Sequence, residues 1–110
     1  MQTDVDGSEV EGGVLGAFRA VADPLRWRIL RALAHEELCV CHLVALLAVP
    51  QSLVSHHLRV LREAGLVETE RFRYWTYYRL RPEVLSGVGG RVAELAEATP
   101  PAGERRRPCC

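Results

Sequence analysis

Apolar side chains recur at helical spacing through most of this chain, and the rhythm changes only once. From Gln51 to Glu63, Val54, Leu58 and Leu61 fall at i, i+4 and i+7, the stripe of an amphipathic helix whose inner face meets a core. Ser52, Ser55, His56 and Arg59 repeat a similar spacing on a second, polar face. Upstream, Asp23-Pro24 marks a helix start, with Asp as N-cap and Pro in the first turn, and Leu25, Ile29, Leu30 and Leu33 point inward. Arg26, Arg28 and Arg31 are left on or near the outer side of that helix and read as a solvated face. Val14–Ala22 predicts a short first helix through Val14, Leu15, Phe18 and Val21. Leu38–Leu47 predicts another, with Leu43, Leu46 and Leu47 apolar, joined to the 51–63 helix by the turn Ala48-Val49-Pro50. Gly65 suits the left-handed position that closes a helix.

The rhythm changes at Leu66–Leu80, LVETERFRYWTYYRL, where β-branched and aromatic residues crowd and begin to alternate. A two-stranded hairpin with its tip near Glu70–Arg73 is expected, which makes the fold mainly α with a small β-hairpin: a winged helix-turn-helix. Pro82 opens a last helix with Val84, Leu85, Val88, Val92 and Leu95 in a stripe. Gly87, Gly89 and Gly90 interrupt it, each at a cost of about 1 kcal/mol relative to Ala. Packing against a second copy, where small residues allow close approach, would offset that handicap, so this helix is the expected dimer face. Residues 1–13 are polar and acidic and read as a disordered arm. Residues 14–98 form the DNA-binding and dimerisation domain, and 99–110, TPPAGERRRPCC, a flexible tail ending in two cysteines.

Formal net charge is zero, but the charges are not evenly spread. Residues 1–17 carry four acids and no base, whereas residues 18–81 carry ten Arg against six acids. On the 51–63 helix, Ser52, Ser55, His56 and Arg59 combine small hydroxyls, an imidazole and a guanidinium, with no acid among them. That chemistry suits base edges and phosphates in a DNA major groove. Gln51, Ser52, Ser55, His56 and Arg59 are therefore the candidate DNA contacts, with Arg71 and Arg73 at the hairpin tip as candidate phosphate contacts. His57 is assigned to packing at the edge of the apolar stripe. Trp27, Trp75, Tyr74, Tyr77 and Tyr78 are read as core and hairpin packing. The N-terminus lacks a basic-then-apolar run and no span is long enough for a membrane, so a cytoplasmic protein with reduced thiols is expected. No nucleophile–base–orienter set or phosphate loop points to an enzyme.

The four cysteines fall in two close pairs, Cys39/Cys41 and Cys109/Cys110, which points to ion ligation or sensing rather than to structural disulfides. Buried free cysteines are the bland alternative for the first pair, and His42 beside it is read as a surface or packing residue before a ligand. On a regular helix, residues two apart project about 200° from one another. If Cys39 and Cys41 both lay within a helix their sulfurs could not share an ion. Ion binding is therefore expected to need, or to cause, fraying of that helix start.

ELCVCHL, then SLVSHHLRVLREAGLV and a TYYRL strand, with ADPLRWRILRAL before them, resembles the ArsR/SmtB metalloregulatory repressors. The resemblance covers roughly residues 14–98. It implies a homodimeric repressor that sits on double-stranded, inverted-repeat operator DNA and releases it when a toxic metal or metalloid binds. The Leu-Cys-Val-Cys form is similar to the arsenic(III)- and cadmium/lead-sensing branches. In the arsenic branch a third cysteine follows in the same helix, and here that position is Val44. The cadmium branch adds cysteines from its N-terminal arm, which has none here, and the zinc branch uses Asp and His of the last helix, absent from residues 82–98. The resemblance thus implies an As(III)- or Sb(III)-induced repressor with Cys39, Cys41 and at least one of Cys109 and Cys110 as ligands. Cd(II) or Pb(II) is the nearest rival inducer, a thiol redox or persulfide switch a second. A small metal-sequestering protein without DNA binding is the alternative of another class.

Overall fold

The computed structural model describes residues 13–108, which fold into five helices and one hairpin. Helix α1 spans Gly13–Ala22, followed by α2 (Pro24–Leu33), α3 (Val40–Leu47) and α4 (Gln51–Glu63). Strands β1 (Val67–Phe72) and β2 (Trp75–Leu80) lead into α5 (Pro82–Ala98). The arm over residues 1–12, Cys109 and Cys110 lie outside the described residues.

Asp23 starts α2 as its sequence promised. The carboxylate accepts from the Leu25 and Arg26 amides at 2.8 and 3.0 Å, satisfying two of the amide donors a helix start leaves open. The Arg26 amide holds the Asp23 carboxyl below its ordinary pKa against the opposing effect of burial, and the Leu25 amide adds to the depression. Helices α3 and α4 meet at 116°, the bend of a helix-turn-helix. Ala48 makes that bend possible by taking the left-handed conformation (φ 57°) at the end of α3. Gly65 does the same after α4 (φ 80°), and the Leu66 amide then reaches back to the Leu61 carbonyl at 3.0 Å.

The core gathers Ile29, Leu30 and Leu33 of α2, Leu43 and Leu47 of α3, Val54, Leu58 and Leu61 of α4, and Leu66 and Val67 at the wing's root. Val54, Leu58 and Leu61 have no exposed surface, and burying each is worth about 1.5–3 kcal/mol. Leu46 departs from expectation: it is 60% exposed, because α3 buries only the line through Leu43 and Leu47.

The hairpin is antiparallel, with Val67 opposite Leu80 and Phe72 opposite Trp75. Its tip is Arg73-Tyr74, further along than the expected Glu70–Arg73, and Arg73 takes a positive φ of 57° there. The aromatic set divides as a result. Tyr78 packs against the core, whereas Tyr74 at the tip is 90% exposed and Trp27 and Trp75 are half exposed. One further pairing joins the wing to the helices: Leu38, just before α3, bridges Tyr78 of β2 with amide–carbonyl distances of 3.2 and 2.8 Å.

Helix α5 buries no residue completely. Val84, Leu85 and Val88 pack on the core, while Val92 and Leu95 stay exposed beside Leu15 of α1. No single helix among the described residues is long and apolar enough to cross a membrane.

Candidate metal centre and nucleic-acid interface

Helix α3 begins at Val40, not at Leu38 as the apolar pattern predicts. The reason is local. Leu38 is held in a β-bridge, and Cys39 follows it in extended conformation (φ −95°, ψ 173°) as the N-cap. Only Cys41 is helical, so the 200° divergence expected of an i, i+2 pair does not arise. The two sulfurs lie 3.0 Å apart. The unwound geometry that ion binding was expected to need is already built into the fold.

His42 completes the cluster. Its Nδ1 accepts the Cys39 amide at 3.1 Å and lies 3.2 Å from the Cys39 sulfur. The Cys39 sulfur in turn accepts the His42 amide, so the pair forms a reciprocal capping box with a thiol in the usual hydroxyl's place. One donor atom each from Cys39, Cys41 and His42 falls within 4.8 Å of the others. Cys39 is buried, while Cys41 and His42 are exposed, so solvent reaches the cluster. Burial raises the Cys39 pKa, but hydrogen bonds from the Cys41 thiol and from the His42 and Cys41 amides outweigh it, and the net shift is downward. The Cys41 thiol shifts upward, because its proton serves the Cys39 sulfur and because it is partly desolvated beside it. One thiol of the pair is therefore primed to lose its proton first. Two thiolates and an imidazole are a donor set for soft and borderline ions.

The thiols open into a cleft of about 240 Å³ whose walls also include Gln51 and Tyr74, Trp75 and Thr76. Gln51 is the first residue of α4, and the other three belong to the wing tip and β2. The two cysteines thus share a cleft with the start of α4 and with the wing.

On α4, Gln51, Ser52, Ser55, His56 and Arg59 are all exposed. Arg59 reaches His56 Nδ1 at 3.5 Å, and the exposed Glu63 follows one turn further along the same side of the helix. On the wing, Glu68 and Glu70 are drawn to Arg79, with Glu37 at 3.8 Å, and the Arg79 guanidinium holds the Glu68 carboxyl below its ordinary pKa. Arg71 and Arg73 stay exposed at the tip, where the Arg73 guanidinium sits 5.4 Å from the Phe72 ring centre. Cys109 and Cys110 lie outside the described residues.

Arg26 is not the solvated residue its position on α2 suggests. Its Nε donates to the Ala20 carbonyl at 2.7 Å, and its Nη1 lies 3.0 Å from His57 Nδ1. It joins the end of α1 to the buried side of α4. His57 is 8% exposed, which agrees with the packing role read from sequence. Burial depresses its pKa, Asp23 pulls the other way, and Arg26 and His56 add to the depression. A donor–acceptor pair 31 residues apart leaves no mark in the sequence.

A helix-turn-helix with a β-wing, carrying a thiol–imidazole cluster at the entry of its first motif helix, defines the class of winged helix-turn-helix regulatory proteins. Residues 23–69 match the family of bacterial regulatory proteins called the arsR family. The chain is 44% identical over 77 residues to the transcriptional repressor SmtB homolog of Synechocystis sp., covering 70% of this chain and 58% of that protein. It is 42% identical over 82 residues to the arsenic resistance transcriptional regulator ArsR1 of Pseudomonas putida (74% and 64%). Against the arsenical resistance operon repressor of Bacillus subtilis it is 38% identical over 72 residues (64% and 69%). The match spans 58% and 64% of the first two relatives' lengths, less than two thirds. In fold it is similar to the ArsR-like transcriptional regulator from Rhodococcus sp. RHA1, with a TM-score of 0.75, 24% identity and coverage of 81% and 84%. It is also similar to the homodimeric winged helix-turn-helix DNA-binding domain Mb0332 from Mycobacterium bovis, with a TM-score of 0.70, 26% identity and coverage of 83% and 84%. The chain belongs to the ArsR family of bacterial regulatory proteins.

Proposed function

We propose that this chain is a homodimeric transcriptional repressor that holds an inverted-repeat operator and lets it go when a soft metal or metalloid ion is captured at Cys39 and Cys41. The observation that carries this reading is the cleft shared by the two sulfurs, Gln51 of α4 and Tyr74–Thr76 of the wing. An ion seated between those sulfurs sits against both reading elements at once. Support for the dimer comes from the half-exposed apolar residues of α1 and α5 and from the homodimeric Mycobacterium bovis domain. Support for DNA comes from the exposed hydrogen-bonding side chains of Gln51, Ser52, Ser55, His56 and Arg59, backed by Arg71 and Arg73.

As(III) or Sb(III) is the proposed inducer, supported by the arsenic-resistance names of two relatives. Arsenous acid exchanges its three hydroxyls for three cysteine sulfurs, and the three thiol protons leave with the hydroxyls as three waters. Cys39 and Cys41 would supply two and Cys109 or Cys110 the third. A specific observation favours a second reading, Cd(II) or Pb(II): His42 offers nitrogen 3.2 Å from the Cys39 sulfur. In either case half-sites are read about 34 Å apart, so a small change in how two copies of α4 are spaced loses simultaneous contact.

The test is a gel shift on the DNA upstream of the chain's own gene, titrated with arsenite, Cd(II), Pb(II), Zn(II) and peroxide. A shifted band released by arsenite but not by peroxide supports the reading. Release by peroxide alone supports a thiol redox switch, and no shifted band leaves metal sequestration as the function.

A further inference from the structure

The Arg26 guanidinium is shared among three helices. From α2 it donates through Nε to the Ala20 carbonyl of α1 at 2.7 Å, and its Nη1 lies 3.0 Å from His57 Nδ1 of α4. Arginine keeps all its protons and offers no acceptor, so the second bond requires a lone pair on His57 Nδ1. That condition fixes the ring as neutral imidazole with its proton on Nε2. A protonated ring donates from both nitrogens, and the bond to Arg26 then becomes two like charges 3.0 Å apart. Burial does most to keep a proton off the ring; Asp23 at the start of α2 draws one in, and Arg26 of α2 and His56 of α4 itself repel it. Asp23 cannot turn to the ring as a new partner without releasing the Leu25 and Arg26 amides that it caps. From α1 the tie meets a neutral carbonyl.

We propose that Arg26 is a positioning residue for operator binding: its bond to neutral His57 seats α4 against α1 and α2, and a proton on His57 unseats it. The inference rests on the reading of α4 as the helix that holds DNA. His57 is buried, while His56, its neighbour in the chain, is exposed with Ser55 and Arg59 within one turn. The two imidazole rings meet edge-on with centroids 5.1 Å apart. A displacement of His57 is therefore passed directly to side chains proposed to meet the groove. Ala20 belongs to α1, which with α5 carries the exposed apolar residues of the proposed dimer face, so the same guanidinium relates the reader to the subunit contact. Two copies of α4 reach half-sites about 34 Å apart only when both are seated alike. The step itself is one proton moving from solvent to Nδ1, with the freed Arg26 Nη1–H passing to water. It involves neither Cys39 nor Cys41.

The test is operator affinity by fluorescence anisotropy at constant salt, from about pH 8 to about pH 5.5, on the full, reduced chain with no metal or arsenite added. Circular dichroism at each pH confirms that the chain stays folded. A bound copy that excludes one proton lowers affinity by up to about tenfold per pH unit below the titration of the ring. The wild type is expected to lose about tenfold or more over the range. His57→Asn places an amide oxygen near the position of Nδ1 and takes no proton, so it should stay within about twofold of the wild-type high-pH affinity throughout. His56→Asn should keep the fall, because a proton on exposed His56 adds positive charge toward DNA and acts in the opposite direction. The nitrogen resonances of His57 should show a bare Nδ1 and a protonated Nε2 at high pH, a readout that needs no variant. A level wild-type profile overturns the proposal, as does an equal fall in His57→Asn or a His57 proton on Nδ1 at high pH. A tie that is merely structural gives the first of those results, since it lowers the urea midpoint in acid and leaves the affinity of the folded chain level. Absence of operator binding by the wild type at high pH sinks the repressor reading itself, while the ring resonances still report on the tie.

Discussion

Arg26→Met removes the tie between α1 and α4 while keeping most of the side chain's bulk. Two hydrogen bonds disappear, to the Ala20 carbonyl at 2.7 Å and to His57 Nδ1 at 3.0 Å. The 3.5 Å approach to the Arg19 carbonyl is at the limit of a hydrogen bond and contributes little. A bond from a charged donor is worth about 1.5–3 kcal/mol, and the lower end applies because this one is only part-buried. Losing the second bond leaves a nearly buried imidazole nitrogen without its donor, at about 1 kcal/mol or slightly more. The expected loss is about 3 kcal/mol. Urea unfolding followed by tryptophan fluorescence would show it as a midpoint lower by about 1–3 M for a slope of 1–3 kcal/mol/M. Protein concentration has to be held fixed, because self-association of the kind proposed would add to apparent stability. Arg26→Lys keeps the charge but cannot fork to two acceptors, so it should recover less than half of the loss. A destabilisation of Arg26→Met below about 0.5 kcal/mol, the range of ordinary surface substitutions, would refute the assigned role.

His57 should make stability depend on pH. Its folded pKa lies below the ordinary 6.5, so the unfolded chain binds more protons in the window between the two values. This contribution is fully present above pH 6.5 and is lost as pH falls through the folded value; urea midpoints between pH 5 and 7.5 should show the decline, and His57→Gln should flatten it. Gly65→Ala meets open space but must adopt φ 80°, and should cost about 1–2 kcal/mol in the same unfolding assay. Val54→Ala empties a fully buried site and should cost roughly 1–3 kcal/mol with little change in the unfolding slope, a larger slope change marking a rearranged fold. Arg59→Gln should lower the salt dependence of operator binding by about one unit of log–log slope if Arg59 contacts phosphate, read from affinities at several salt concentrations.

The parts of the fold visible in the sequence are those with local signals. Asp23-Pro24, the Val54–Leu58–Leu61 stripe and Gly65 each act within one or two helical turns, and the elements they predict are present. The thiol pair was visible, but its geometry was not. Cysteine is not a usual N-cap, and what unwinds Cys39 is the pairing of Leu38 with Tyr78, forty residues away in the chain. Arg26 looked solvated for the same reason: its acceptor on α4 is 31 residues distant. Leu46 misled in the other direction, since an apolar residue on an eight-residue helix need not be buried when Leu43 and Leu47 already fill the inner face. His42 carried a usable signal, the third helical position after an N-cap, which in a serine-capped helix would have been recognised as a capping box.

The proposed coupling between thiols and DNA is a free energy shared by the two sites, so it can be read from operator affinity alone. Fluorescence anisotropy of a labelled inverted-repeat operator, measured with and without saturating arsenite, gives the coupling directly for the wild type and for Cys39→Ser/Cys41→Ser. A fall in wild-type affinity of about 5–150-fold, abolished in the double variant, is the expected result. Equal release of operator by both proteins would contradict a repressor switched at these two sulfurs.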